Sequence, residues 1–327
     1  MKTKLLGRFR DEDGTEKFVY QNNRGVIELT WIKKPHKNAH VFCLPTHYYC
    51  NLGCKFCHLT SEGDERQKML PITSRELLAI LVDVWKKYID FQPALLLSFM
   101  GVGEPFLNYR LIPEIYRGLK EKFNNGLSPK PESLNLAMAT MVPSVYPFGF
   151  FARQAMENHL PLKIHFSLHS PISEARQAII PCTKVSVENA CRRLDEYRNL
   201  TAKIIPLMEE FSKYHNLADT VELHYTVIKG INDGNAELEA LIKLGQKYRL
   251  PLKILKFNPT KELKNSPREE YWLKRLAEEY GAPAEKYDPP GKNIGSSCGQ
   301  FTKHYYLRTS PDEYDDFLNW KAKYEVK

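Results

Sequence analysis

From Thr73 onward the chain of 327 residues alternates short apolar runs with amphipathic segments of helical length, and this alternation restricts the fold more than any other feature. Expected strands cover 95–100, 134–139, 163–169, 223–228 and 252–257, separated by stretches that read as helices, such as 187–197 and 236–248. Each separation is long enough for a crossover between parallel strands. The first helix carries its own start signal. Thr73-Ser-Arg-Glu76 is a capping box, followed by Leu77, Leu78, Ile80, Leu81, Val84 and Tyr88 at helical spacing. Residues 1–35 instead alternate apolar and polar side chains around Asp13-Gly14 and Asn22-Asn-Arg-Gly25, the pattern of a small β-meander. Polar, glycine-containing segments follow several strands, at the end where (β/α) barrels build their sites. Past residue 261 a Lys- and Glu-rich tail holds a helix over 268–280, and Asp288-Pro-Pro-Gly291 leads into Gly295-Ser-Ser-Cys298-Gly, a segment able to move. The expected organisation is one α/β domain: a meander at 1–35, an incomplete (β/α) barrel at 36–260 and a C-terminal extension at 261–327.

The cysteines take their meaning from the compartment. The N-terminus lacks the apolar run of a signal peptide, and no stretch approaches the roughly 20 apolar residues of a membrane span, so the chain reads as soluble and cytoplasmic. Thiols stay reduced there, which favours metal ligation or catalysis over disulfides. Of seven cysteines, four fall between Cys43 and Cys57. A formal net charge of +8 suits a polyanionic partner without requiring one.

Cys50-Asn-Leu-Gly-Cys54-Lys-Phe-Cys57 has the spacing C-x3-C-x2-C. Three thiolates on one tight loop can hold three irons of a [4Fe–4S] cube and leave the fourth iron open to another ligand. S-adenosylmethionine is the expected ligand, since one-electron reduction of its sulfonium generates a carbon radical. Two other readings stand beside this one. Cys54-Lys-Phe-Cys57-His58 matches the haem attachment pattern C-x-x-C-H, and the same residues could hold a structural Zn²⁺.

Further groups sit at strand ends. Gly103-Glu104-Pro105 lets backbone approach a ligand and offers a carboxylate for an ammonium group. Ser167-Leu168-His169 and Asn258 can hydrogen-bond a ribose, a carboxylate or adenosine. Each is equally readable as ordinary turn or core structure. Cys43 lies in an apolar run, where a buried thiol is the default, whereas Cys298 sits between Ser297 and Gly299 with no packing reason to be there. Cys182 and Cys191 belong to no motif and read as structural. Lys33, Lys34, His36 and Lys37, followed by Tyr48 and Tyr49, mix cations with stacking faces as nucleic-acid sites do, and a solvated charged loop would look the same.

Taken together these residues resemble the RlmN/Cfr family of radical S-adenosylmethionine RNA methyltransferases, from about Asp13 to Phe301. The markers occur in order: Cys43 ahead of the Cys50, Cys54, Cys57 loop, Gly103-Glu104-Pro105 with Asn108, Ser167-Leu-His169, Lys229-Gly-Ile-Asn-Asp233, Phe257-Asn-Pro259 and Cys298-Gly-Gln300. The resemblance implies an incomplete (β/α)6-type radical SAM barrel, with Cys50, Cys54 and Cys57 on a [4Fe–4S] cluster. It implies that Gly103, Glu104, Ser167, Leu168, His169 and Asn258 line an S-adenosylmethionine site. Cys298 would carry a methyl group, and Cys43 would resolve a protein–RNA link through a disulfide with Cys298. Glu28 matches the position of the family's proposed base. The implied substrate is an adenosine carbon, C2 or C8, in ribosomal or transfer RNA. The implied electron donor is a flavodoxin or ferredoxin, and the implied state a monomer.

The chain also departs from the family. Members usually carry a helical RNA-binding domain ahead of the β segment, and this chain begins almost at that segment. Their Ser/Thr-rich strand end is here Ala137-Met-Ala-Thr140-Met-Val142, and 200–216 is an added helix-like stretch. Two rival functions therefore remain: the same two-cysteine chemistry on a substrate other than RNA, and a non-catalytic metal or iron–sulfur protein that binds RNA.

Overall fold

The N-terminal alternation becomes three antiparallel strands, β1 (Lys4–Arg10), β2 (Glu16–Asn22) and β3 (Gly25–Lys34). They begin a ten-stranded sheet whose strands follow chain order and which does not close on itself. The computed structural model describes residues 3–34, 38–59, 69–90, 94–207, 220–260, 262–296 and 311–326. The fold is thus α/β with an open sheet, as expected, and it divides into two compact units. The first holds 1–51, 64–137 and 290–327, and the second holds 52–63 and 138–289.

In the first unit β4 (Ala39–Cys43) pairs with β3 antiparallel and with β5 (Ala94–Phe99) parallel. The change of direction follows from the connections: only four residues separate β3 from β4, too few for a crossover, whereas α1 (Ser74–Tyr88) lies between β4 and β5. The capping box forms as its spacing demands. Glu76 N–H donates to Thr73 Oγ1 at 3.3 Å, and Thr73 N–H donates to Glu76 Oε2 at 2.8 Å. Arg24 and Tyr48 also donate to that carboxylate, at 2.9 and 2.8 Å, which fastens the β2–β3 turn to the helix start. Leu77, Ile80, Leu81, Val84 and Trp85 form the buried face of α1. α2 (Leu111–Asn124) follows β5. The last helix, α8 (Pro311–Tyr324), packs on the meander, with Trp320 stacked on Phe9 at 5.1 Å.

β6 (Ser133–Thr140) runs across the division. The second unit continues with α3 (Tyr146–Asn158), β7 (Leu162–Ser167), α4 (Ser173–Ile179), α5 (Val187–Thr201), β8 (Val221–Tyr225), α6 (Asn235–Tyr248), β9 (Leu252–Leu255), α7 (Glu269–Glu279) and β10 (Ala284–Tyr287). β7 to β10 pair in parallel, each next to the one before. β4, β10 and α8 have no counterpart in the sequence reading. Tyr48 and Tyr49 are buried, so they offer no stacking face, contrary to the nucleic-acid reading of that stretch. His36 and Lys37 lie outside the described residues.

Candidate functional site

One face of the first unit's sheet collects polar groups. Residues directly opposite on antiparallel strands share a face, so the pairings Lys17 with Thr30 and Thr30 with Cys43 put these side chains on one side, and Glu28 joins them two residues from Thr30. Lys17 forms a 2.7 Å ion pair with Glu28, and both are buried. The chain that leads toward Cys298 is fastened to the same meander. Lys17 Nζ donates to the Gly295 carbonyl at 3.0 Å, and Thr30 Oγ1 makes a long contact of 3.5 Å to the Ser296 carbonyl. Asp11 accepts from Asn293 N–H at 2.9 Å and Asp13 from Gly291 N–H at 2.7 Å. Cys43 is half-buried at the end of β4, and desolvation pushes its thiol up to about 11 against the pull of Lys17. Cys298 lies outside the described residues. Among the described residues no two cysteines form a disulfide, and the partner that the resemblance implied for Cys43 lies outside them.

The loop after β5 braces the loop after β4. Thr46 and His47 N–H groups donate to the Val102 carbonyl at 2.8 and 3.2 Å, and Asn108 Nδ2 donates to Thr46 and Ile72 carbonyls at 2.9 and 3.0 Å. Gly103 has φ +111, and a Cβ there would meet His47 Nδ1 and Thr46 Oγ1, each at 2.5 Å. Only glycine fits so close an approach. Glu104 is buried, and its Oε1 accepts from Phe106 N–H at 2.9 Å, capping the short turn Pro105–Leu107. Cys50 is buried in this unit.

Cys54 and Cys57 belong to the second unit. Cys57 N–H donates to the Cys54 carbonyl at 3.1 Å and Lys55 N–H to the Ile179 carbonyl at 3.0 Å, which fastens the loop beside α4. Cys54 forms a small core with Ile179 and Ile180, against which Phe56, Cys57, Met141 and Cys182 pack. Cys182 therefore packs on the same small core as two motif cysteines, which sequence spacing gave no means to see. The Phe56 ring lies 4.5 Å from that of His169. His169 is buried and left-handed at φ 53, and its Nδ1 has no hydrogen-bond partner among the described residues. Desolvation, helped by the Arg176 charge, pushes it down to about 3, so the ring is neutral. Asn232 Nδ2 donates to the His169 and Thr226 carbonyls at 2.6 and 2.8 Å, and this is the Asn of the Lys229 to Asp233 marker. Ser167 and Leu168 are buried at the end of β7, and Asn258 is half-buried after β9.

Beneath Ser167 lies a buried ionic core. Glu222 accepts from Lys163 at 3.2 Å and Lys253 at 2.9 Å, and His165 Nδ1 stands 2.9 Å from Glu222 Oε2 and 2.8 Å from His224 Nε2. These donor atoms could hold a metal ion, but a dication there would face two ammonium groups already neutralising the carboxylate. Desolvation opposes ionisation of Glu222, yet hydrogen bonds from the histidines and the lysine charge outweigh it and hold the carboxyl far below its usual range. Both histidines are pushed down by burial and stay neutral.

No family model matches the chain. It is 26% identical over 303 residues to the probable dual-specificity RNA methyltransferase RlmN of Clostridium novyi (strain NT), covering 90% of this chain and 77% of that protein. A protein of the same name from Bacillus cereus (strain ATCC 14579) gives 26% over 303 residues, covering 91% and 75%. The chain is similar to proteins named RlmN. Its fold is that of a radical SAM methyltransferase from Sphaerobacter thermophilus, with a TM-score of 0.72 at 21% identity over 91% of this chain and 80% of the other. The RlmN relatives match it over nearly its whole length, so the likeness is not confined to the cysteine loop. No described helix is long and apolar enough to cross a membrane.

Proposed function

We propose that this chain is a radical S-adenosylmethionine methyltransferase that methylates an adenosine carbon, C2 or C8, in ribosomal or transfer RNA. The observation that carries the reading is the fastening of Gly295 and Ser296 to Lys17 and Thr30, on the sheet face that also holds Cys43 and Glu28. The segment entering Cys298 thereby ends beside the strand of the other extra thiol. The names of the RlmN relatives support RNA as the substrate.

The residues present fit the implied cofactors. Cys50, Cys54 and Cys57 are thiols in no disulfide, the soft donors an iron–sulfur cluster requires. The buried His169 Nδ1 awaits a partner, and Gly103 lets the loop after β5 close tightly on Thr46 and His47 beside the buried Glu104. Glu104, Ser167, Leu168 and Asn258 complete the proposed S-adenosylmethionine ligands. Bound there, cluster and cofactor supply a methyl group and a one-electron route to a carbon radical.

The chain's own thiols and carboxylate do the rest. Cys298 would receive the methyl group on sulfur; one C–H bond of that group would break, its hydrogen atom passing to the carbon radical, the carbon would bond to the adenine ring, and one electron would leave to the flavodoxin or ferredoxin couple. Glu28 takes the ring proton. Cys43, as thiolate, attacks Cys298 Sγ. An S–S bond forms, the sulfur–carbon bond breaks, and its electron pair with one proton completes the methyl group on the base. An external thiol reductant of the thioredoxin or glutathione class then restores both cysteines, and a flavodoxin or ferredoxin supplies the electron for the radical.

The test is Cys43→Ala. This variant, expressed with its host RNA, is expected to purify with RNA covalently attached, while Cys298→Ala carries none. Nucleoside mass spectrometry of cells with and without the gene is expected to show loss of 2-methyladenosine or 8-methyladenosine. Cys43→Ala free of RNA, with neither nucleoside changed, would overturn the reading.

A further inference from the structure

Two non-glycine residues hold left-handed backbone just beyond strand ends in the second unit, Val142 after β6 and His169 after β7, both at φ 53. For a β-branched residue such as Val142 this is a strained conformation that surrounding structure must enforce. The carbonyl immediately before each is held by one side chain. Arg176 Nη2 donates to the Met141 carbonyl at 2.7 Å and Arg176 Nε to the Leu168 carbonyl at 2.8 Å, while Nη2 also reaches the Ser167 carbonyl at 3.0 Å. Arg176 is 1% exposed, and its guanidinium lies 4.7 Å from the Phe166 ring centroid.

We propose that Arg176 is the positioning residue of the S-adenosylmethionine site, fixing the two strained strand ends, and through them His169, in the conformation that receives the ligand. The inference rests on the functional reading above and adds to it a residue that touches neither cluster nor substrate. A planar fork of N–H donors spans three carbonyls at once, which a lysine ammonium on a flexible stem does not reproduce. Two further bonds hold Val142: its N–H donates to Thr140 Oγ1 at 2.9 Å, and its carbonyl accepts from Thr183 Oγ1 at 3.1 Å. The buried positive charge also opposes protonation of His169, keeping Nδ1 available.

The experiment compares anaerobically reconstituted wild type with Arg176→Lys and with Arg176→Lys/Val142→Gly. It measures bound iron, S-adenosylmethionine affinity by equilibrium dialysis, and the change that S-adenosylmethionine causes in the EPR spectrum of the reduced cluster. Arg176→Lys is expected to keep its iron, to bind S-adenosylmethionine about tenfold to a hundredfold more weakly, as loss of an outer-shell partner does, and to lose the EPR change. Glycine at 142 removes the strain and is expected to restore part of the affinity. Unchanged affinity in Arg176→Lys, or no gain in the double variant, overturns the proposal. Wild type that holds iron but binds no S-adenosylmethionine overturns the functional reading and this inference with it. Should Arg176→Lys fail to fold, Thr183→Val removes only the second hold on Val142. A weaker affinity there supports the proposal, and an unchanged one overturns it.

Discussion

Lys17 is bonded to the Gly295 carbonyl at 3.0 Å while ion-paired with Glu28 at 2.7 Å, so one buried ammonium group joins the meander to the chain three residues before Cys298. Neither bond is visible in the sequence, where Lys17 looks like any surface lysine on a hairpin.

Lys17→Met is expected to destabilise the protein by about 3–5 kcal/mol, because it removes one partner of a buried ion pair. The urea midpoint measures this. The same variant is expected to speed proteolytic cleavage after residue 290, whereas Lys17→Met/Glu28→Leu recovers much of the stability but not the protection.

Gly103→Ala is expected to cost about 2–4 kcal/mol, since φ +111 strains any L side chain and the new methyl collides with Thr46 and His47. S-adenosylmethionine binding measured on the reconstituted variant is expected to be lost. A variant with wild-type stability would show that the loop moves aside freely.

His40 and His47 are buried, and desolvation pushes each down to about 4; Trp31 Nε1 donates to His40 Nδ1 at 2.9 Å, which needs the neutral ring. The unfolded chain takes up these protons near the ordinary histidine value and the folded chain does not, so more protons are bound unfolded and stability falls as the pH drops from about 6.5 to about 4. Each histidine contributes up to about 1.4 kcal/mol per pH unit within that window. Urea midpoints between pH 7 and 5 check the slope, which is expected to be shallower in His40→Phe.

Cys54→Ala is expected to abolish iron incorporation, whereas Cys182→Ala, in the same apolar group but outside the motif, keeps it. Iron content and visible absorbance after anaerobic reconstitution distinguish the two. Equal loss in both would make Cys182 a ligand.

Elements with local causes were legible. The capping box at Thr73, the hairpin turns and the apolar runs of β5 to β9 lie within two or three residues of expectation, because neighbours along the chain determine them. β4 escaped because five residues beside a basic run carry too short a period, and its pairing depends on β3 and β5. The charged residues on the central strands were harder still. Lys163, Glu222 and Lys253 suggest solvent, yet they are drawn inward to neutralise one another across three strands. Arg176, midway along a short polar helix, likewise reads as exposed, and only the fold brings it the three carbonyls that justify its burial.

The double allegiance of β4 also orders assembly in time. Its pairing with β3 spans only four intervening residues, whereas its pairing with β5 encloses the cysteine loop and α1 in the sequence, a long-range contact whose closure is entropically costly and slow. Pulse-labelled amides of β2 and β3 are expected to gain protection before those of β5. The strand of Cys43 is then templated first, and the thiols of the loop stay accessible to an incoming cluster while the remainder of the sheet is still being laid down.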